Sequence, residues 1–204
     1  MHRNIQQIIQ HYQPKPMGVS KAYAVLIPLI WEDNQYKVLY EVRAQHISQP
    51  GEVAFPGGRI EDGESSQEAA IRETCEELNL LPENIQILGE IDYIASNNRI
   101  IYSYVAQLTI NNWRDLSPNE EVERLFAIPL DTLIAYPPTY HRLNVQVKPD
   151  TQFPFDRIPN QINYNFSSLT RQIPFYDLDE ENLWGFTAQL THRFTEIIKE
   201  NKQS

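Results

Sequence analysis

Apolar residues recur along the chain in patterns that predict seven β-strands. Short segments rich in Val, Ile, Leu and Tyr, bounded by Asn, Asp, Gly or Pro, are typical of strands. Asp33 and Asn34 separate the first two segments and predict a hairpin between them. The predicted strands cover residues 22–31, 36–42, 52–55, 85–95, 99–110, 122–128 and 140–147, with loops at 96–98 and 111–119.

Helical periodicity appears in four other places. Residues 1–12 form an amphipathic pattern, 66–78 follow a capping signal, and 130–135 follow Pro129, which we expect in the first helical turn. A terminal helix is expected over 183–199, where apolar residues recur every three or four positions: Leu183, Phe186, Leu190, Phe194 and Ile197. Strands and a few helices without strict alternation predict an α+β sandwich.

One domain is expected for the whole chain, 1–204. Its length and its 41% hydrophobic content are those of a single globular domain with a substantial core. We place that core at about 20–135. Residues 136–182 contain several prolines and aromatic residues, which predict short strands joined by turns. We expect residues 136–204 to form a C-terminal elaboration, ending in the terminal helix.

Composition excludes several classes of partner. The net charge is −10 and offers no basic surface to a nucleic-acid polymer, although bound divalent ions can still attract a small anionic substrate. The longest apolar segment, 22–31, contains Pro28 and is too short to span a membrane. Residues 1–12 lack the apolar core of a secretion signal, and Cys75 is the only cysteine. We therefore expect a cytoplasmic protein without intramolecular disulfides; a homodimer is compatible with the sequence.

Acidic residues are concentrated in the predicted helix at 66–78. Ser65 and Glu68 form a capping-box signal at its start. Glu73, Glu76 and Glu77 fall on one face of the helix, and Arg72 alone does not offset their repulsion. Two interpretations remain open at this point: a solvated acidic face, or a site for a hard divalent cation such as Mg²⁺.

The wider segment, GGRIEDGESSQEAAIRETCEELNL at 57–80, resembles the signature box of the Nudix hydrolases. Gly58, Glu64 and Arg72 have the spacing of that box, and all its acids are present. Asn79 stands where the family usually has glycine, and asparagine is the next residue best able to adopt a left-handed conformation. The resemblance implies a Nudix-type α/β/α sandwich with a mixed sheet, a loop–helix–loop catalytic motif and Mg²⁺ or Mn²⁺ as cofactor.

The same resemblance implies roles for individual residues. Glu76 and Glu77 are expected as principal metal ligands, with Glu73 a further ligand or the general base. The carbonyl of Gly57 is expected to complete the shell, and the backbone of Gly57 and Gly58 is expected to approach and bind the substrate. Glu64 and Arg72 are expected to pair and to orient the carboxylates, a supporting role that matters for metal affinity.

Residues outside the box are expected to contact the substrate or a metal. Nudix enzymes often recruit a further acid, for which Glu120 and Glu121 are the candidates; Glu121 is favoured because it immediately precedes a strand. Arg43 and Arg59 flank the glycine turn, and guanidinium groups suit phosphate oxygens. Solvated surface positions are the alternative for all four.

Three further segments resemble coenzyme A diphosphatases: LYEVRA with QPGEVAFPGG at 39–58, PFDRIPNQINYNF at 154–166, and LWGFTAQL at 183–190. This resemblance implies hydrolysis of the diphosphate of coenzyme A or its thioesters to 4′-phosphopantetheine and adenosine 3′,5′-bisphosphate. The alternatives are another nucleoside diphosphate derivative, such as ADP-ribose, a dinucleotide or an oxidised nucleotide, and a non-catalytic ligand-sensing module.

Overall fold

The structure is a computed structural model that describes residues 2–19, 21–96, 98–166, 169–178 and 181–201. Its helices are α1 (His2–His11), α2 (Ser66–Leu78), α3 (Leu130–Ala135) and α4 (Gly185–Asn201). Its strands are β1 (Lys21–Glu32), β2 (Gln35–Arg43), β3 (Val53–Ala54), β4 (Gly57–Arg59), β5 (Ile85–Ser96), β6 (Arg99–Leu108), β7 (Val122–Pro129), β8 (Thr139–Val145) and β9 (Leu169–Phe175). Short 3₁₀ turns occupy Pro82–Asn84, Trp113–Asp115, Phe155–Arg157 and Gln161–Asn163.

Strands β1 to β7 form one mixed sheet. The central strand β1 pairs in parallel with β6, which pairs antiparallel with β5. On its other edge β1 forms the predicted hairpin with β2, and β2 pairs antiparallel with β7. The hairpin turn is made by Asp33 and Asn34, both with positive φ, a conformation that these residue types tolerate better than most.

The two hairpin strands separate beyond the pair Leu29–Val38, and the chain fills the gap with two short strands. β3 pairs with the far end of β2, and β4 pairs with the near end of β1. The sequence patterns did not predict β4, because two of its three residues are glycine, which has low strand propensity. This insertion places the glycine turn at the middle of the sheet.

Helices cover both faces of the sheet and create two cores. The α2 core contains Leu26, Leu39, Ala70, Leu78 and Tyr104 among its buried members. The α4 core lies on the opposite face, where residues of α3 and α4 pack against Ile27, Val38, Tyr40 and other sheet residues. The arrangement confirms the predicted α/β/α sandwich with a mixed sheet.

The C-terminal region departs in detail from the sequence prediction. β8 and β9 form a separate antiparallel hairpin, and only β8 was predicted. Pro129 ends β7 and caps α3 instead of lying in its first turn, because it still pairs with Lys37 at the end of the sheet. The last helix begins at Gly185, whose φ of +65° lies outside the helical range.

In the described ranges, no helix is long and apolar enough to cross a membrane.

Candidate active site

The acidic helix α2 is fixed at both ends by the residues that the sequence marked. The Ser65 hydroxyl accepts from the Glu68 amide at 3.2 Å, and the Glu68 carboxylate accepts from the Ser65 amide at 2.8 Å. At the other end Asn79 adopts the left-handed conformation, with φ 50° and ψ 47°, and its side chain donates to the Ser117 carbonyl. The Asn79 amide donates to the Cys75 carbonyl, so the helix end is closed.

Arg72 is the centre of an ion-pair network beside this helix. Its guanidinium donates to Glu64 at 2.8 Å and to Glu73 at 2.9 Å, with a longer contact of 3.3 Å to Glu76. It also donates to the carbonyl of Arg59 at 3.1 Å, which ties the helix to the glycine turn. Hydrogen bonds from Arg72 hold the pKa of Glu64 below its ordinary value. The structure thus brings Glu64 and Arg72 together as expected.

The three acids on the helix face occupy different environments. The Glu77 side chain is buried and accepts from the amide of Gly57 at 2.8 Å. Glu73 is largely covered, whereas the Glu76 side chain is 55% exposed and contacts Arg72. Among the described residues, no three acidic, histidine or cysteine side chains are close enough to constitute a formed metal cage. The expected crowding of Glu73, Glu76 and Glu77 is therefore relieved by Arg72 and by the Gly57 amide.

Two glycines allow the sheet to approach the acids closely. A Cβ on Gly57 would collide with the Ala24 carbonyl and come within 2.6 Å of Val25 Cα. A Cβ on Gly58 would overlap the carboxylate of Glu73. A side chain does not fit at Gly57, where the contacts are with backbone, and at Gly58 it would displace the carboxylate of Glu73.

A further buried acid, Glu41, lies near the helix acids and was missed by the sequence reasoning. It sits in β2 with a relative exposure of 1%, and its Oε2 atom is buried without a hydrogen-bond partner among the described residues. The available signal was a carboxylate between apolar neighbours in a strand, at a position that alternation places inside.

The buried acids interact unfavourably with one another. Burial raises the pKa of Glu77, and the negative charges of Glu41, Glu73 and Glu121 raise it further. Burial also raises the pKa of Glu41, an effect that Arg43 opposes and Glu121 reinforces. Burial raises the pKa of Glu73 despite its bond to Arg72. The charge of Glu121 raises the pKa of all three acids.

This donor set fits a divalent cation. Hard ions such as Mg²⁺ and Mn²⁺ take carboxylate oxygens, and a positive charge would offset the mutual repulsion of the buried acids. The unpartnered Glu41 Oε2 is a free acceptor within the same group. Glu121 is held near by its loop, since the Asn119 amide donates to the Glu77 carbonyl at 2.8 Å and the Ala44 amide donates to the Glu121 carbonyl at 2.8 Å.

A cleft of about 540 Å³ opens beside the glycine turn, on the side of the sheet that carries α4. Its volume lies within the range of small-molecule sites. Gly57 lines it, so the cleft and the acid group meet at this residue. The remaining walls come from 49–55, from the ends of β5 and β6, from β9 and from 184–190.

The two arginines predicted to contact phosphate differ in position. Arg43 lines the cleft, and its guanidinium donates to the Ser48 carbonyl at 2.9 Å. Arg59 is exposed and does not line the cleft. Arg99 and Arg171 also line it and were not singled out from sequence; the Arg99 guanidinium lies 5.2 Å from the centre of the Phe186 ring.

Comparisons with known proteins agree with this architecture. The family model described as NUDIX domain matches residues 20–148. Nudix hydrolase 3 of Caenorhabditis elegans is 33% identical over 65% of this chain and 58% of its own length. Peroxisomal coenzyme A diphosphatase NUDT7 of Mus musculus is 28% identical over 62% of this chain and 54% of its own length. The chain thus spans little more than half the length of these two relatives.

Two further matches cover more of the molecule. An uncharacterized Nudix hydrolase, NudL, of Pectobacterium atrosepticum is 30% identical over 88% of this chain and 83% of its own length. A crystal structure of a MutT/nudix family protein from Enterococcus faecalis aligns with 98% of this chain and 70% of that chain, with a TM-score of 0.52 and 15% identity. The second match shows likeness of fold alone.

Proposed function

The chain belongs to the Nudix family, and on that premise we propose that it hydrolyses the diphosphate linkage of coenzyme A or its thioesters. The products are 4′-phosphopantetheine and adenosine 3′,5′-bisphosphate, and the cofactor is Mg²⁺ or Mn²⁺. The composition favours a small nucleoside diphosphate as the partner. A nucleic-acid polymer or a membrane is not expected, because a chain of charge −10 lacks a basic surface.

One observation carries the choice of substrate class. Two of the three segments that resemble coenzyme A diphosphatases, 39–58 and 183–190, are far apart in sequence but line the same cleft, whereas 154–166 is outside its described lining. Arg43 and Phe55 come from the first segment, and Trp184, Phe186 and Thr187 come from the second. Thr187 also donates to the Val53 carbonyl at 2.9 Å, which joins the two segments directly. The residues of these two segments thus line the cleft beside the box.

The residues of the chain divide the work of hydrolysis. A bound divalent ion supplies charge neutralisation for the diphosphate and activates water. Glu76 and Glu77 hold it, Glu73 is a further ligand or the general base, and the carbonyl of Gly57 is a candidate ligand. Arg72 and Glu64 orient the helix acids, and Glu121 adds an acid from the loop before β7. Arg43 binds phosphate oxygens in the cleft. A phosphate contact by Arg59, on the outer face of the turn, stays a prediction.

The named relatives support the reaction class more strongly than the substrate. The mouse relative is named as a coenzyme A diphosphatase, but its identity to this chain is 28% over a partial match. ADP-ribose, dinucleotides and oxidised nucleotides are therefore the alternative substrates. The word peroxisomal in the mouse relative's name describes that protein alone. For this chain, a cytoplasmic location stays a prediction.

A substrate screen tests the proposal. Purified protein is incubated with coenzyme A, ADP-ribose or NADH in the presence of Mg²⁺ or Mn²⁺, and products are identified by mass. We expect fastest cleavage of coenzyme A, into its two phosphate-bearing halves. Faster cleavage of ADP-ribose or NADH would make that compound the proposed substrate in place of coenzyme A. If no compound is cleaved and metal leaves the melting temperature unchanged, a non-catalytic ligand-sensing module is favoured.

A further inference from the structure

Glu41 occupies a position where the sheet faces the acidic helix. Its neighbours Tyr40 and Val42 belong to the α4 core, and Leu39 belongs to the α2 core. Successive side chains of a strand point to opposite faces, so Glu41 lies on the same face as Leu39, beneath α2. Its backbone pairs with both Ala54 of β3 and Leu125 of β7, so the side chain is held at the interior of the sheet.

One oxygen of the buried Glu41 carboxylate lacks the hydrogen-bond partner that a structural acid normally has. Its Oε2 atom has no hydrogen bond within the described residues, whereas the Oε2 atom of Glu77 accepts from Gly57. Arg43 opposes the rise in the pKa of Glu41, but its guanidinium is hydrogen bonded to Ser48. A buried ionised group without a partner destabilises the fold, so it is retained where a ligand provides the missing interaction.

The charges around Glu41 are those of the acid group already described. Glu41 and Glu77 repel each other across the space between the sheet and α2, and Glu121 repels both. Carboxylates from β2, α2 and the loop before β7 therefore act on one another, although no three of them in the described residues are close enough to form a metal cage. Oxygen donors supplied by several elements are what a hard divalent cation needs.

We propose that Glu41 is a further carboxylate of the divalent metal site, which offers its oxygen to the bound cation directly or through one water. The cation then lies between the sheet and the helix, and it is held from both sides. The proposal rests on the proposed function, because it concerns the metal of the same site. It assigns a role to β2, which the signature box does not include.

Manganese binding without substrate tests this assignment. Isothermal titration calorimetry with Mn²⁺ compares the wild type, Glu41→Gln, Glu77→Gln and Glu83→Gln. Glu83 is exposed and lies outside the acid group, so its variant controls for the loss of one negative charge. We expect Glu41→Gln to weaken Mn²⁺ binding about 10- to 100-fold, Glu77→Gln at least as much, and Glu83→Gln less than about twofold.

A merely structural role makes a different prediction. If Glu41 is a neutral buried acid that only fills space, Glu41→Gln will bind Mn²⁺ like the wild type, and that result overturns the proposal. Glu41→Met, with an apolar side chain of similar length, is a second variant in case the amide disturbs the fold. We expect the metal-free melting temperature of both variants to be equal to or higher than that of the wild type, because a buried charge is removed.

A measurement on the wild type keeps the proposal testable whatever the variants do. Crystals grown with Mn²⁺ are measured at an anomalous wavelength, and we expect a peak bound by Glu41 or joined to it by one water. A peak bound by the helix acids but remote from Glu41 overturns this proposal and leaves the proposed function standing. Failure of the wild type to bind Mn²⁺ in solution overturns both.

Discussion

Glu77 is buried and accepts a hydrogen bond from the Gly57 amide, and this makes it the most informative acid of the site. Replacing it with Gln keeps its size and its position under α2 but removes the charge that we propose holds the metal. We expect Glu77→Gln to fold and to lose about 100-fold or more in kcat at saturating Mg²⁺, since even supporting residues of metal sites cost 10- to 100-fold. Steady-state kinetics checks this, with circular dichroism to show that the variant is folded. A near-normal kcat in a folded variant would contradict the role of Glu77 as a metal ligand.

The raised pKa of Glu77 also predicts a pH dependence for the metal-free protein. Its ordinary value is 4.5, and burial followed by repulsion from Glu41 raises it in the folded state. Above that ordinary value the unfolded chain has lost a proton that the folded chain retains, so this group lowers stability as pH rises. Melting temperatures in EDTA should therefore fall from pH 5 to pH 8 more steeply for the wild type than for Glu77→Gln. Parallel curves would show that Glu77 titrates normally.

Glu120 and Glu121 are adjacent and both exposed, and the charge of Glu121 raises the pKa values of Glu41 and Glu77. The loop that carries both residues is fixed to the end of α2, because the Asn119 amide donates to the Glu77 carbonyl. We expect Glu121→Gln to lower kcat/KM at least about tenfold, as loss of a metal-site carboxylate does, and Glu120→Gln to change it less than about twofold. The two variants form a matched pair in one kinetic assay. Equal effects would assign the pair to the solvated loop surface.

At the level of elements, the glycine turn controls how near β4 comes to α2. Gly58→Ala should push a methyl group into the carboxylate of Glu73, which is the far end of a flexible side chain and can move aside. We therefore expect a small change in stability but a loss of about tenfold or more in kcat, because Glu73 is displaced. Gly89→Ala is the control, because a Cβ at Gly89 meets nothing within 4 Å. Steady-state kinetics of both variants, with urea denaturation as a check on the fold, tests this; a Gly58→Ala variant as active as the control would contradict the close approach.

Elements with strong local signals were predictable from sequence. The capping box at Ser65 and the left-handed residue Asn79 define α2 at both ends, and the strand segments agree with β1, β2 and β5 to β7 within about two residues. Local signals suffice here because caps and alternating apolar residues act within a few positions. The metal-ligand roles drawn from the box stay predictions.

Features that depend on tertiary pairing were not predictable. β4 consists of Gly57, Gly58 and Arg59 and becomes a strand only because β1 and β2 separate. β9 is paired with β8 across 23 intervening residues, and no local pattern announces it. Glu41 was visible as a charge in an apolar strand, but its relation to Glu77 requires the stacking of α2 on β2. The same holds for Arg99 and Arg171, which only the fold brings to the cleft.

At the scale of the whole molecule, the net charge is negative, whereas the cleft carries local positive charges. A net charge of −10 repels an anionic substrate at long range, so attraction must come from the metal and from local cations. The described lining of the cleft supplies Arg43, Arg99 and Arg171 from β2, β6 and β9. The C-terminal elaboration therefore contributes to the charge of the cleft, in addition to covering the sheet. Substrate selectivity is expected to depend on which phosphate each cation meets.

Arg43 provides the sharpest test of that selectivity. If it binds the 3′-phosphate of coenzyme A, Arg43→Ala should lower kcat/KM for coenzyme A about tenfold or more relative to 3′-dephospho-coenzyme A, because a charge-assisted bond contributes roughly 1.5 to 3 kcal/mol. Arg142→Ala is the control for the loss of one positive charge, since Arg142 is exposed and lies outside the described lining of the cleft.

Ser48→Ala separates phosphate recognition from support of the loop, because it removes the Ser48 hydroxyl that accepts from Arg43 while keeping the cation. Both substrates are measured with all three variants at fixed ionic strength and Mg²⁺, since screening by salt changes charge-assisted contacts. Equal losses on the two substrates would remove Arg43 from 3′-phosphate recognition and leave it as a ligand of the diphosphate. A loss in Ser48→Ala as large as that in Arg43→Ala would instead assign the arginine to holding the loop at the cleft entrance.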